Sequence, residues 1–206
     1  MNLDRLHDLA ADMALRRADM AGQRDRFARL ASRHEDGTAP QAISSFNLFP
    51  TPQPLADELA ALAQLSGASH ILEPSAGTGQ LVTACRRLTD APITAADISA
   101  DCCAALYRLD LPAVHIIQRD FLQIPTTDLP PIDRVVMNPP FHMRADIRHT
   151  LHALHFLRPG GILAGICMDT PNRQPLRDKA STWHPKGAAF RSLGTSVPVA
   201  LFTIHT

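Results

Sequence analysis

An α/β fold built on a mostly parallel sheet is what this sequence predicts, preceded by a helical N-terminal extension and closed by an antiparallel hairpin. Three observations predict it. From residue 67 onward, short apolar runs alternate with helical stretches. The first run stops in a turn of small residues, Pro74-Ser75-Ala76-Gly77-Thr78-Gly79, which opens directly into a helical pattern. The chain then closes on an apolar run over 198–205, set off by Gly194-Thr195-Ser196.

The elements follow in order. Residues 2–33 lack proline, and Leu3, Leu6, Leu9, Ala10, Met13, Met20, Phe27 and Leu30 recur at roughly helical spacing among charges. One long amphipathic helix, or two, is expected there, with an apolar face suited to a second copy or a partner subunit. Gly37 stops it, and a connector carrying Phe46, Leu48 and Phe49 follows. A helix is expected over 52–65, capped by Thr51, with proline in its first turn. Strands are expected at 69–73, 92–97, 114–119, 132–137 and 161–168, and helices at 80–88, 100–109 and 144–157. Arg158-Pro159-Gly160-Gly161 reads as a sharp turn into the fifth strand. Residues 169–189 are polar and hold Pro171, Pro175 and Pro185, so they read as a long functional loop with at most a short helix. The closing hairpin is expected to pair 189–193 with 198–205, which brings the sheet to seven strands. The domain division is 1–48 for the extension and connector and 49–206 for the catalytic domain.

With 206 residues, 45% of them hydrophobic, the chain can build one sizeable core and an appendage. No apolar run approaches the roughly 20 residues needed to cross a bilayer. Asp4, Arg5, His7 and Asp8 interrupt any secretory signal, so a cytoplasmic protein without a membrane partner is expected. Cys85, Cys102, Cys103 and Cys167 show no CxxC spacing and read as reduced thiols. The 20 basic and 20 acidic residues cancel, so the global field offers a polyanion no long-range attraction.

The chemistry concentrates at the strand ends. Gly77 and Gly79 remove side chains where a ligand can approach the main chain, and the helix beyond them offers unpaired amides. A dinucleotide site would want a third glycine where Val82 stands. The next strand ends in Asp97-Ile98, about 20 residues after the glycines, where such folds grip a ribose. The third ends in Asp120-Phe121, a carboxylate and an aromatic suited to an adenine's amino edge and face. The fourth runs into Asn138-Pro139-Pro140-Phe141, where two prolines fix the backbone so that one carbonyl faces the site. A conjugated amine is a poor nucleophile. The Asn138 oxygen and the Pro139 carbonyl could accept its two hydrogens and localise its lone pair, with Phe141 stacked on the planar target. His149, His152 and His155 recur every three residues, which drifts around a helix and argues against a metal site. Arg173, Arg177, Lys179, Trp183, His184 and Lys186 would suit a phosphate-tracking loop, and a solvated loop equally well. Arg16, Arg17, Arg24, Arg26 and Arg29 could add phosphate contacts from the extension.

From Phe49 to the C-terminus these residues resemble the class I S-adenosylmethionine methyltransferases, whose fold is Rossmann-like. The resemblance implies S-adenosylmethionine as cofactor, with Phe49 and Thr51 near its methionine part and Glu73, Pro74, Ser75, Ala76, Gly77, Thr78 and Gly79 along it. It further implies Asp97 and Ile98 at the ribose, Asp120 and Phe121 at the adenine, and Asn138 between cofactor and target. Asn138-Pro139-Pro140-Phe141 resembles the catalytic motif of adenine-N6 and cytosine-N4 DNA methyltransferases. The motif order is gamma-like. The segments around 156–161 and 187–195 are similar to small phage- and plasmid-type DNA methylases. DNA adenine N6 is thus the expected target. The motif also serves RNA bases and protein glutamine, and a cofactor-binding partner subunit is the reading from another class.

Overall fold

The computed structural model describes residues 49–206; the helical extension and connector expected over 1–48 lie outside the described residues. The main elements are α1 (Gln53–Leu62), β1 (Ile71–Glu73), α2 (Gln80–Arg86), β2 (Ile93–Asp97), α3 (Ala100–Arg108), β3 (Val114–Gln118), β4 (Ile132–Met137), α4 (Ala145–Leu154), β5 (Leu157–Met168), α5 (Gln174–Arg177), β6 (Thr182–Gly187) and β7 (Val199–His205). The seven strands form one sheet in the order β3-β2-β1-β4-β5-β7-β6. Pairing is parallel from β3 through β5, and β7 runs antiparallel to both β5 and β6.

Why these residues make this sheet follows from burial on both faces. Ile71 faces one apolar layer and Leu72 the other, and the same alternation sends Val136 to the first layer and Val135 and Met137 to the second. The first layer is covered by Leu55 and Leu59 of α1 and Leu81 and Val82 of α2; the second by Ala153 of α4 and by Phe156. Both faces being covered, the central strands read as near-continuous apolar runs. Full burial of a Leu59 or Ile71 side chain is worth about 1.5–3 kcal/mol.

Sheet order fixes where a ligand can sit. Chain progress runs outward from β1 through β2 to β3, then returns to the other side of β1 with β4. The direction reverses between β1 and β4, which leaves a crevice outside their carboxyl ends.

Three local expectations are corrected. The first strand of the closing hairpin is β6, within the stretch expected to be loop, and 191–193 form a 3-10 turn instead of the expected strand. Pro185 hid the strand in the sequence. The sheet tolerates it because β6 is an edge, where a missing N–H costs no inner ladder bond. Residues 158–161 are a bulge inside β5: Ile132 pairs with Leu157 and Arg134 with Ile162, and Gly160 takes φ +79°. Thr51 does not cap α1, whose N-cap is Pro52 without a side-chain bond.

Gly165 of β5 makes room for a ring in this core. A Cβ there would come within 2.6 Å of Phe202 Cζ, and Phe202 is fully buried and stacked on Trp183. Gly165→Ala should therefore cost about 1–3 kcal/mol through overpacking, read as a lower urea midpoint with unchanged slope. An unchanged midpoint would mean that Phe202 gives way freely.

Candidate active site

Val135, Val136 and Met137 are fully buried, so β4 delivers its next residue to a fixed point at the sheet edge. That residue is Asn138. Its Nδ2 donates to Thr51 Oγ1 at 3.0 Å and to the Phe49 carbonyl at 3.5 Å. A carbonyl only accepts, so the Phe49 contact settles which way the amide faces and leaves Oδ1 as its remaining acceptor. The Thr51 hydroxyl that does not cap α1 is the one that holds Asn138.

A cleft of about 490 Å³ opens at this edge. Four strand ends line it: Ser75 after β1, Asp97 and Ile98 at β2, Asp120 after β3, and Asn138-Pro139-Pro140-Phe141 after β4. A smaller recess of about 20 Å³ shares Phe49, Ser75 and Asn138 with it and is walled by Thr51, Glu73, Ala76, Gly77 and Thr78. The tetrapeptide and the glycine turn thus meet in one crevice.

Backbone amides set the carboxylates. Asp97 Oδ2 accepts from the Gly77 N–H and Oδ1 from the Ser99 N–H, each at 2.8 Å, tying the tip of β2 to the glycine turn. Asp120 Oδ1 accepts from the Leu122 N–H at 3.0 Å and caps a 3-10 turn. Glu73 is different. It is 1% exposed, and neither carboxylate oxygen has a hydrogen-bond partner among the described residues. Burial first and the Asp97 charge second push its carboxyl well above the usual range.

Not every expected residue reaches the cleft. Pro74 is buried and lines neither part of it. Gly79 takes φ +93° at the cap of α2, and a Cβ there would strike Leu109 and Leu106 side chains at 2.5 and 2.9 Å. Its missing side chain makes room for the packing of α3. Phe121 lines the cleft but is only 2% exposed, its ring 4.8 Å from that of His152 and 5.5 Å from that of Phe156. An aromatic face for adenine is therefore not what Phe121 chiefly offers. Ile98, 54% exposed, and Leu122 supply apolar wall beside the two carboxylates.

Other lining residues were missed in the sequence. Phe190, Thr195 and Val197 bring the segment before β7 to the cleft wall, and Arg148 and His149 of α4 add a basic and a neutral polar group. The spacing of the first three gives no signal, because they approach only through the antiparallel return of β7, whereas Arg148 and His149 arrive on α4. Three of the charges expected to suit a phosphate-tracking loop have partners within the chain. Arg177 pairs with Asp169 and lies 4.7 Å from the Trp183 ring centroid, Lys186 pairs with Glu58, and Arg173 is buried against Asp146. The buried pair takes Arg173 out of solvent, while Arg177 keeps a side chain 48% exposed. Between Phe141 and α4 the chain turns through Met143 at φ +48° and Arg144 at φ +57°. Left-handed backbone costs residues with a Cβ about 1–2 kcal/mol each.

His149 sits against Ser75, Nδ1 to Oγ at 3.2 Å, while His152 Nε2 bonds the Ile124 carbonyl. Burial holds the His149 imidazole down at about 4, against a partial pull upward from Asp120. The unfolded chain takes up this proton near pH 6.5, the folded chain only near 4, so acid favours the unfolded state. Stability should fall by about 2 kcal/mol between pH 7 and pH 5 from this group alone. Wild type should lose that much relative to His149→Gln in urea titrations at the two pH values; parallel curves would place the imidazole in solvent.

No family model matches the chain, and no curated protein matches it either. Solved structures do. PH1948 of Pyrococcus horikoshii, named as a candidate RNA methyltransferase, superposes with a TM-score of 0.63 at 18% identity, over 78% of this chain and 88% of that one. The [4+2]-cyclase SpnF gives 0.61 at 17% identity over 75% and 80%. An RNA methyltransferase of Salinibacter ruber in complex with S-adenosyl-L-homocysteine gives 0.55 at 16% identity over 76% and 92%. At such identities the likeness is one of fold, and the fold of residues 49–206 is the Rossmann-like one of these methyltransferases, a seven-stranded, mostly parallel sheet with an antiparallel end.

Proposed function

We propose that this protein transfers a methyl group from S-adenosylmethionine to an exocyclic amino group of a nucleic-acid base, adenine N6 in DNA being the first choice. Residues 49–206 are the catalytic domain, and 1–48 an extension available to a second copy or a partner subunit. The observation that carries the reading is the grip of Thr51 and Phe49 on the Asn138 amide, which leaves Oδ1 to accept where the cleft and the glycine-turn recess join.

A fold shared with a cyclase does not decide chemistry, so the cofactor has to fit the residues. It does. Glu73, buried beside the recess, has two oxygens without a hydrogen-bond partner among the described residues, and S-adenosylmethionine carries both an ammonium and a sulfonium. Asp97 would hold the ribose hydroxyls with lone pairs not spent on the Gly77 and Ser99 amides. Asp120 would take the adenine amino edge, with Ile98 and Leu122 against the ring. When bound, the cofactor supplies an electrophilic methyl on sulfur. Asn138 Oδ1 and the Pro139 carbonyl then accept the two hydrogens of the target amine and aim its lone pair. Phe141 stacks on the base, recovering part of the few kcal/mol that extruding it from a duplex costs. The methylated nitrogen, still conjugated, is acidic enough to shed its extra proton to water, so no protein base is required.

RNA is the second reading, favoured by the names of two of the structural neighbours. Within the motif resemblance, Phe at position 141 leans toward nucleic acid over protein glutamine. The assay supplies tritiated cofactor to DNA, RNA and protein pools, digests the labelled polymer to monomers and identifies the product. N6-methyldeoxyadenosine is expected. Asn138→Ala should reduce labelling by about 10²–10³-fold while cofactor binding persists. Label confined to protein, or labelling untouched by Asn138→Ala, contradicts the proposal; the latter result makes the chain a supporting subunit.

A further inference from the structure

Arg173 and Asp146 form a buried ion pair, with side chains 6% and 0% exposed. The contact is two-pronged: Arg173 Nε donates to Asp146 Oδ2 at 2.7 Å and Nη2 to Oδ1 at 2.9 Å. The same Nη2 donates to the Phe141 carbonyl at 3.1 Å and lies 3.2 Å from Met168 Sδ. Three pieces of chain meet there: the last residue of the tetrapeptide, the first turn of α4, and the 3-10 turn Pro171–Arg173 that follows β5.

Stability is a poor reason for this arrangement. Taking two charges out of water is costly, and an apolar pair of similar volume often serves a core as well or better. What an apolar pair cannot do is donate to the Phe141 carbonyl. Between Phe141 and Asp146 the chain passes through Met143 and Arg144, both at positive φ, a conformation that such residues keep only when their surroundings impose it. Met143 is 86% exposed, so its own packing imposes nothing. Arg173 grips both ends of the segment, Phe141 at one and Asp146 at the other.

We infer that Arg173, oriented by Asp146, is a positioning residue for the target side of the reaction. By holding the Phe141 carbonyl it fixes the direction of the Phe141 ring and keeps the Pro139 acceptor in place. Lysine is no substitute: a single ammonium lacks the planar fork that reaches the carboxylate and the carbonyl together. The mechanical part of this inference stands on the structure alone; its catalytic part rests on the proposed methyl transfer.

The test uses the full chain with Arg173→Met and Asp146→Leu combined, which removes both charges at once, and with Arg173→Lys. One readout needs no activity: tryptic cleavage after the exposed Arg144, followed by mass spectrometry. The double variant should unfold at the wild-type temperature or above, bind S-adenosylhomocysteine as wild type does, and be cut after Arg144 about tenfold faster. Its kcat on DNA should fall by about 10- to 100-fold with little change in cofactor affinity, and Arg173→Lys should move both readouts the same way. Wild-type cleavage at Arg144 in a folded double variant overturns the clamp. Unchanged kcat with faster cleavage overturns its catalytic part. Should the double variant fail to fold, Arg173→Lys supplies both readouts, and the same two results overturn the clamp or its catalytic part. If wild type methylates no nucleic acid, the proposed function falls, and the cleavage rates still decide the clamp.

Discussion

β1 and β4 lie side by side, both covered by apolar layers on both faces, and the chain leaves each of them at the same edge of the sheet. That constraint underlies the rest. Sliding β4 by one residue would turn Val135 and Met137 into the layer that Val136 occupies, so its register cannot drift. The strand tips are held just as firmly, and the glycine turn after Glu73 and the amide of Asn138 emerge as neighbours although 65 residues of sequence separate them. Core packing thus sets where the crevice lies.

Polar groups then finish what packing begins. Asp97 is pinned by two amides and Asn138 by Thr51 and Phe49, so neither side chain has to be ordered when something binds. Preorganisation of this kind lowers the entropic cost of holding a ligand. Glu73 runs against the pattern. It is a buried acid with no hydrogen-bond partner among the described residues, in a corner where an apolar residue would pack better, and such groups gather at sites that receive a complementary charge. His149, held neutral by burial, adds no opposing positive charge to the cleft.

Much of this was legible in the sequence, and what was legible had local causes. The buried strands declared themselves as apolar runs, and the strand tips by the carboxylates, glycines and prolines that end them. Asp97, Asn138 and Ser75 reach the cleft as their positions suggested. The misreadings came from long-range competition. Thr51 looked like a helix cap because nothing nearby showed that Asn138, 87 positions away, would claim its hydroxyl. Gly79 gave no sign of its packing role because Leu106 and Leu109, which need its space, lie far along the chain. Arg173 looked like a solvent-facing charge because its carboxylate, Asp146, is assigned to it only by the fold. Pro185 concealed an edge strand whose pairing partner, β7, lies beyond a turn.

Methyl transfer at this edge requires Asn138 and the glycine turn to serve one reaction centre. A crystal structure of the protein with S-adenosylhomocysteine tests that most directly. The ligand's carboxyl and amino end is expected in the recess beside Glu73 and Gly77, its ribose on Asp97, and its sulfur facing Asn138 Oδ1 across the space that the methyl group and the target amine would fill. Density for the ligand elsewhere, or a sulfur turned away from Asn138, would contradict a shared centre.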